Sequence, residues 1–327
     1  MTDTAILPTP AEVRAAAGRI ADAVTHTPLV PSPALSAIAG GEVLLKLECE
    51  QASGSFKIRG ALNALLALTP EQRARGVVAS SAGNHGRGIA MAAERLGVAA
   101  TVFVPSSAPA IKRDGIAAHG ARVDATSAGY DAAETAARRF AVATGATFVS
   151  PCTGRTLLAG AGTVAKEVLD DLPTLRTIVV CVGGGGLAGG IGGYLRGMAP
   201  AVRILGAQSV RTNAMALALA SGKPTDIPDL PTLADGLAGL VDAEMLAQGQ
   251  AALDAIATVE EDAIADAIAW SHREHGLTVE GAGAVGIAAL RSGRLKPQAF
   301  PVVVVVSGRN IDPEKHERLL RESLMRM

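Results

Sequence analysis

Val77–Val104 reads VVASSAGNHGRGIAMAAERLGVAATVFV: a short apolar run, a turn of serines and glycine, an alanine-rich stretch with helical spacing, and a second apolar run. This is strand, turn, helix, strand, with strands at Val77–Ala79 and Ala100–Val104 and a helix near Gly86–Leu96. Further short strands follow at Arg122–Asp124 and Thr147–Val149, separated by helices near Ala108–Ala118 and Ala128–Ala143. Strands joined by helical crossovers run parallel, and their helices cover the sheet. The pattern resumes after Pro151 with a helix through Val164–Leu169, a strand at Thr177–Val182, a helix at Leu187–Arg196 and a strand at Val202–Gln208. A second sheet is implied. Pro301–Val306 is wholly apolar and β-branched, as expected of a central parallel strand buried on both faces.

Upstream, Thr9-Pro10-Ala11-Glu12 carries a capping box and a first-turn proline, which predicts a helix to about Val24. Pro28, Pro31 and Pro33 hold an extended connection, and Val43–Glu48 (VLLKLE) reads as a strand. Beyond Ser221, Pro224, Pro228 and Pro231 predict a loop-rich stretch that contains Leu233-Ala234-Asp235-Gly236. Helices are expected at Ala243–Ala257 and Glu260–His275, and a polar terminal helix at Pro313–Met325.

A hydrophobic content of 49% against 19% charged residues makes the chain globular, and 327 residues suffice for two lobes. The net charge of −1 gives no electrostatic footprint for nucleic acid or an anionic membrane. Small molecules are the expected partners. Cys49, Cys152 and Cys181 are few, odd in number and widely spaced, which fits a reducing compartment. The N-terminus has no basic segment leading into an apolar run, and no apolar stretch approaches the about 20 residues of a membrane span. These features predict a soluble, cytoplasmic protein.

Open parallel sheets place ligands at the carboxyl ends of their strands, so the loops just after strands are the informative ones. Ser53-Gly54-Ser55-Phe56-Lys57-Ile58-Arg59-Gly60 sets a lysine at a helix entrance after the Val43–Glu48 strand. Such a lysine is either an ordinary surface residue or, where the turn buries it, an amine usable as nucleophile or base. Ser80-Ser81-Ala82-Gly83-Asn84-His85-Gly86 opens a helix after a strand, either as a simple cap or as an anion site fit for a carboxylate. Gly183-Gly184-Gly185-Gly186-Leu187-Ala188-Gly189 removes every Cβ from the approach to a helix N-terminus, which lets backbone amides cradle a phosphate. Gly184, Gly186 and Gly189 also match dinucleotide spacing, but Gln208 stands where that reading wants an acidic residue. Gly222-Lys223 precedes a proline and lacks the glycine of an ATP loop. Ser307-Gly308-Arg309-Asn310 offers a neutral hydroxyl after the buried strand. His272 and His275 lie three apart on a helix without a third clustered ligand, so no metal site is expected there.

SGSFKIRGALNAL, SSAGNHGRGIA, GGGGLAGGI and VVVVSGRNID together, in this order, resemble the fold-type II pyridoxal-phosphate enzymes. The resemblance is to the threonine/serine dehydratase (ammonia-lyase) and serine racemase group, and it covers nearly the whole chain. It implies an α/β fold of two lobes, each an open, mostly parallel sheet flanked by helices. Residues 1–72 and 153–327 would form the large cofactor-binding domain and 73–152 a small domain inserted in it. Lys57 would condense with the aldehyde of pyridoxal 5'-phosphate and later move the substrate α-proton, with Phe56 against the ring. Asn84 would bond the ring hydroxyl, Gly183, Gly184, Gly185, Gly186 and the Leu187 amide would bind the phosphate, and Glu280 would lie near the cofactor. Ser307 would face the pyridine nitrogen. A serine, unlike an aspartate, does not keep that nitrogen protonated, which weakens the electron sink and favours prompt β-elimination. Ser81, Ala82, Gly83, Asn84, His85 and Gly236 would surround the amino-acid substrate. The group implies a homodimer or other homo-oligomer.

Three features bear on the activity within the group. Many relatives bind a divalent cation through a glutamate and an aspartate at positions that here are Gln208 and Ala214, so no metal is expected. Arg155 either pairs with a second substrate carboxylate, as on 3-hydroxyaspartate, or faces solvent. In serine racemases the proton donor opposite the lysine resembles the second serine of a Ser-Ser-Gly-Asn-His loop, and Ala82 stands there. The expectation is therefore β-elimination of water from L-threonine or L-serine, giving a 2-oxo acid and ammonia. A dehydratase for another β-hydroxy amino acid, an amino-acid racemase and a noncatalytic small-molecule binder are the alternatives. No residues remain for the regulatory domain of the larger biosynthetic members, so feedback control by isoleucine is not expected.

Overall fold

The structure, a computed structural model, describes residues 6–325. Among these residues ten strands form two sheets. They are β1 (Leu29–Pro31), β2 (Val43–Lys46), β3 (Val77–Ser80), β4 (Ala100–Pro105), β5 (Arg122–Ser127), β6 (Thr147–Phe148), β7 (Thr177–Cys181), β8 (Arg203–Ser209), β9 (Ala255–Val259) and β10 (Val302–Val305). The larger sheet has the order β1-β2-β10-β7-β8-β9 and the smaller β5-β4-β3-β6. All pairings are parallel except β1 with β2. The α/β class with mostly parallel, helix-flanked sheets is as the strand–helix alternation predicts.

The apolar strand near the C-terminus lies at the centre of the larger sheet. Val302, Val303, Val304 and Val305 are buried, paired with Val43–Lys46 on one side and Thr177–Val179 on the other. Every face of β10 thus meets protein, which is why a run without a polar alternate position is stable there. The consequence for function is geometric. Because β2, β10 and β7 are adjacent and parallel, their carboxyl ends open on one edge, and segments more than 100 residues apart in sequence meet there. The Lys57–Leu66 helix packs Ile58, Ala61, Leu62 and Leu65 into the apolar cluster of the smaller sheet, with Val77, Ala79 and Val102. Its N-terminal residue, Lys57, therefore sits on the seam between the two sheets.

Several elements differ from expectation. The helix expected over Ala243–Ala257 ends at Ala252, and Ala255–Val259 is edge strand β9. Asp254 fixes the switch: its Oδ2 accepts from Ile204 N at 2.7 Å and its own N donates to Ile204 O at 2.9 Å. Ile256, Thr258 and Val259 then favour the extended state beside β8. The first helix stops at Ile20, and its N-terminal capping box with Thr9 and Glu12 is present. Strand β2 ends at Lys46, with Glu48–Glu50 in a 3-10 turn before the lysine loop. The Arg155–Asp171 helix is longer than the expected Val164–Leu169 segment, and Gly281–Arg291 adds a helix that the alanine-glycine run did not announce.

Candidate active site

The lysine turn is held by the loop that follows β10. Phe56 N donates to Ser307 O at 3.0 Å and Arg309 N to Gly54 O at 2.8 Å, with Ser55 and Gly308 forming an isolated antiparallel bridge. Lys57 is half-buried. Its Nζ donates to Pro151 O at 2.7 Å and lies 5.3 Å from the centroid of the Phe56 ring. One primary amine is thus delivered to the strand-end edge by backbone bonds rather than by chance.

The tetraglycine loop follows β7 and enters the Gly186–Met198 helix through Gly185, whose φ of +87° favours glycine. A Cβ on Gly184 would come within 2.6 Å of Cys152 Sγ, and one on Gly183 within 3.1 Å of Leu237 Cα. The loop is therefore walled by residues 152 and 237, and only its backbone lines the space between. The first amides of the helix have no intrahelical acceptor, so the cradle suits a phosphate dianion. Leu187, the second residue of that helix, is buried.

Ser307 is buried just after β10, beside the Cys181 thiol, whose pKa burial raises to about 11 while Ser307 pulls the other way. Beside it, Glu280 caps the Gly281–Arg291 helix, with its N donating to Gly308 O at 3.1 Å. Burial pushes the Glu280 carboxyl up to about 7; Asn84 Nδ2, which donates to its Oε1 at 2.6 Å, and the nearby lysines Lys112 and Lys57 pull the other way. That bond joins the two sheets, because Asn84 begins the Asn84–Leu96 helix after β3.

In the serine loop, Gly83 N donates to Ser81 Oγ at 3.2 Å, and Ala82 is buried. The imidazole of His85 points away from the loop amides, with Nε2 3.0 Å from Val149 O. Burial, reinforced by the Lys57 charge, lowers its pKa to about 3, so the ring is neutral and only the backbone of His85 can serve an anion in the loop. Its Nδ1 and the buried Ser55 Oγ have no hydrogen-bond partner. Gly236 is exposed on the short turn 235–237, close to Ala282. Next to it, Asp235 meets Lys112, from the Ala110–Ala117 helix, at 2.5 Å.

Arg155 is exposed and its Nε donates to Glu12 Oε1 at 2.5 Å, a contact that holds the Glu12 carboxyl at about 2. Gln208 is buried, its Nε2 donating to Thr212 O at 2.8 Å and its Oε1 accepting from Ala216 N at 2.9 Å. No group of three metal-binding side chains occurs among the described residues. His272 is exposed, and His275 Nε2 lies 3.0 Å from Ser32 Oγ. Nor is any helix long and apolar enough to cross a membrane among the described residues.

Sequence reading missed two polar clusters. One is Asn310, whose amide reaches Asn84 and Ser53. The other is a buried quartet behind the lysine helix, Lys46, Glu48, Arg59 and Glu167. A signal existed for the second: Lys46 interrupts the apolar run VLLKLE, in which Val43 through Glu48 are all buried, and a buried lysine needs a partner.

Amine, phosphate cradle, neutral hydroxyl and carboxylate loop are the donor set that pyridoxal phosphate and an amino acid require, so the residues present fit that cofactor. A family model described as pyridoxal-phosphate dependent enzyme matches residues 20–308. The L-threonine ammonia-lyase of Thermotoga maritima is 38% identical over 319 residues, covering 96% of this chain and 79% of its own. A serine racemase of Oryza sativa subsp. indica is 34% identical over 305 residues, 92% of this chain and 90% of its own. The solved structure of maize serine racemase superimposes with a TM-score of 0.91 at 32% identity, covering 98% of this chain and 99% of the maize chain.

Proposed function

The chain belongs to the pyridoxal-phosphate-dependent enzyme family, and from that membership we infer a dehydratase (ammonia-lyase) that eliminates water from L-threonine or L-serine to give a 2-oxo acid and ammonia. The observation that carries this reading is the convergence of Lys57, the Gly183–Gly186 cradle and Ser307 at the carboxyl ends of β2, β7 and β10, facing Asn84 from the other sheet.

Pyridoxal phosphate, when bound, supplies an aldehyde for amines and a ring that accepts the electron pair left at the substrate α-carbon. The chain supplies the rest. In this reading Lys57 Nζ would hold the aldehyde and would be the base for the substrate α-proton. The Gly183–Gly186 amides and Leu187 N anchor the phosphate, and Phe56 and Asn84 hold the ring. Amides of Ser81–His85 bind the substrate carboxylate. Ser307 would offer the ring nitrogen a hydroxyl that does not keep it protonated, which weakens the electron sink and disfavours a long-lived carbanion. Assembly as a homodimer or other homo-oligomer in the cytoplasm belongs to the same reading.

The choice between elimination and racemisation rests on Ala82. A methyl group has no proton to give to the face opposite Lys57, so the α-carbon is reprotonated from the lysine side or not at all. Chiral chromatography of a reaction started with L-serine is expected to show pyruvate and ammonia with little D-serine, and some racemisation gained on Ala82→Ser. D-Serine accumulating as fast as pyruvate in the native protein would make it a racemase instead.

The Gln208 amide spans Thr212 and Ala216 by two hydrogen bonds, a loop closure that needs no ion. Dialysis against EDTA is accordingly expected to leave the elimination rate within about twofold, the scale of a site without charged ligands. A large loss restored by magnesium or calcium would show that other oxygens build a cation site.

A further inference from the structure

Asn310 has no assigned part in the chemistry, yet its amide is committed on both sides. Nδ2 donates to Ser53 O at 2.9 Å and to Asn84 Oδ1 at 2.6 Å. Its Oδ1 lies over Gly54, where φ is +77° and where a Cβ would come within 2.4 Å of that oxygen. The orientation of the whole chain of amides follows from the one fixed acceptor. A backbone carbonyl accepts only, so the Asn310 atom facing Ser53 is the nitrogen. The Asn84 atom facing that nitrogen is then its oxygen, and Asn84 Nδ2 is left to donate to Glu280 Oε1 at 2.6 Å. Reversing Asn84 would oppose two donors at the Asn310 end, and two acceptors at the other wherever Glu280 is ionised, mismatches in a buried or half-buried setting.

We propose that Asn310 is a positioning residue: by holding Asn84 Oδ1 from the opposite sheet, it presents the second N–H of Asn84, rather than its oxygen, to the ring hydroxyl of bound pyridoxal phosphate. The proposal rests on the reading of Asn84 as the ring-hydroxyl partner. Asn310 touches no reacting atom; it acts through Asn84 and, by the same bond, docks the smaller sheet's loop onto the larger sheet.

The test is a double-mutant cycle on purified protein reconstituted with pyridoxal phosphate, read as the cofactor dissociation constant and the visible absorbance maximum of the bound cofactor. Asn310→Ala is expected to weaken cofactor binding about tenfold, the scale of one lost hydrogen bond with its partner left unpaired, and to move the absorbance maximum. In an Asn84→Ala background the same substitution should change the constant less than about twofold, because nothing remains to orient. Asn310→Asp keeps the volume and cannot donate, so it should match the alanine variant even if the latter folds poorly. Additive losses in the cycle, or an aspartate variant with native affinity and absorbance, would overturn the proposal alone. A native chain that takes up no cofactor would overturn the underlying reading and the proposal with it.

Discussion

Replacing Lys57 with alanine is expected to lower ammonia release from L-threonine and L-serine by more than about 10³-fold, since on the proposed reading this one amine is both the covalent anchor and the base. No second free amine stands beside Lys57 among the described residues of the site. Lys112 is tied to Asp235, and Lys46 is committed to Glu167 and Thr27 O behind the lysine helix. Lys57→Arg separates charge from nucleophilicity: the guanidinium keeps the cation near Pro151 O but cannot condense with an aldehyde, so this variant should be as inactive as alanine. The native preparation should be yellow and should lose its visible absorbance irreversibly on borohydride treatment, with the label retained on Lys57 after proteolysis. Neither variant should retain label. Steady-state ammonia release by either one would show that another group carries the chemistry.

What was legible in the sequence is what is local. The strand-end loops carry their chemistry in consecutive residues, and glycine, serine and lysine at strand–helix junctions mean the same thing wherever the strands sit. The order β2-β10-β7, which brings the loops at residues 57, 183 and 307 to one edge, is a property of the fold that no local window contains. Strand β9 escaped because Ala255 and Ala257 extend the alanine-rich helix before it, so composition favoured one long helix; the pairing of Asp254 with Ile204 decided otherwise. His85 illustrates a different gap. Its place in the serine loop was clear, but the sequence does not say which way an imidazole turns, and here it turns to Val149 O. The buried quartet draws its four charges from the two sides of the lysine turn and a helix 100 residues on, so only Lys46 betrayed it.

That quartet gives the second large effect. Arg59, buried and two residues from Lys57, bonds Glu48 Oε2 at 2.7 Å and Oε1 at 2.8 Å, Glu167 Oε1 at 2.6 Å and Oε2 at 2.8 Å, and Thr163 Oγ1 at 3.1 Å. Two acids and two bases balance, so the cluster is neutral as a whole. Removing Arg59 alone leaves two carboxylates facing one lysine out of water, and breaking a buried pair in this way costs about 3–5 kcal/mol. Arg59→Ala should therefore lower stability to denaturant by about that amount at pH 7.5, and Arg59→Lys should recover only part, because an ammonium cannot meet two carboxylates bidentately. The loss should also depend on pH. Burial alone would raise the Glu167 carboxyl, but hydrogen bonding and charge from Arg59, with help from Lys46, hold it below the usual carboxylate range. In the variant the Arg59 contribution is gone and only Lys46 still opposes burial, so the folded-state Glu167 pKa lies higher than in the native chain. The folded variant then binds more protons than the folded native chain as pH falls, so acidification costs it less stability. In the native chain the depressed Glu167 contributes stability that is present above the unfolded pKa and lost as pH falls through the folded one. Both terms narrow the gap between the two proteins on going from pH 7.5 to 5, while groups they share, such as Glu280, cancel in the difference. Denaturation midpoints of both proteins at the two pH values measure it, and a gap that stays constant or widens on acidification would mean that the quartet is not what fixes the lysine helix.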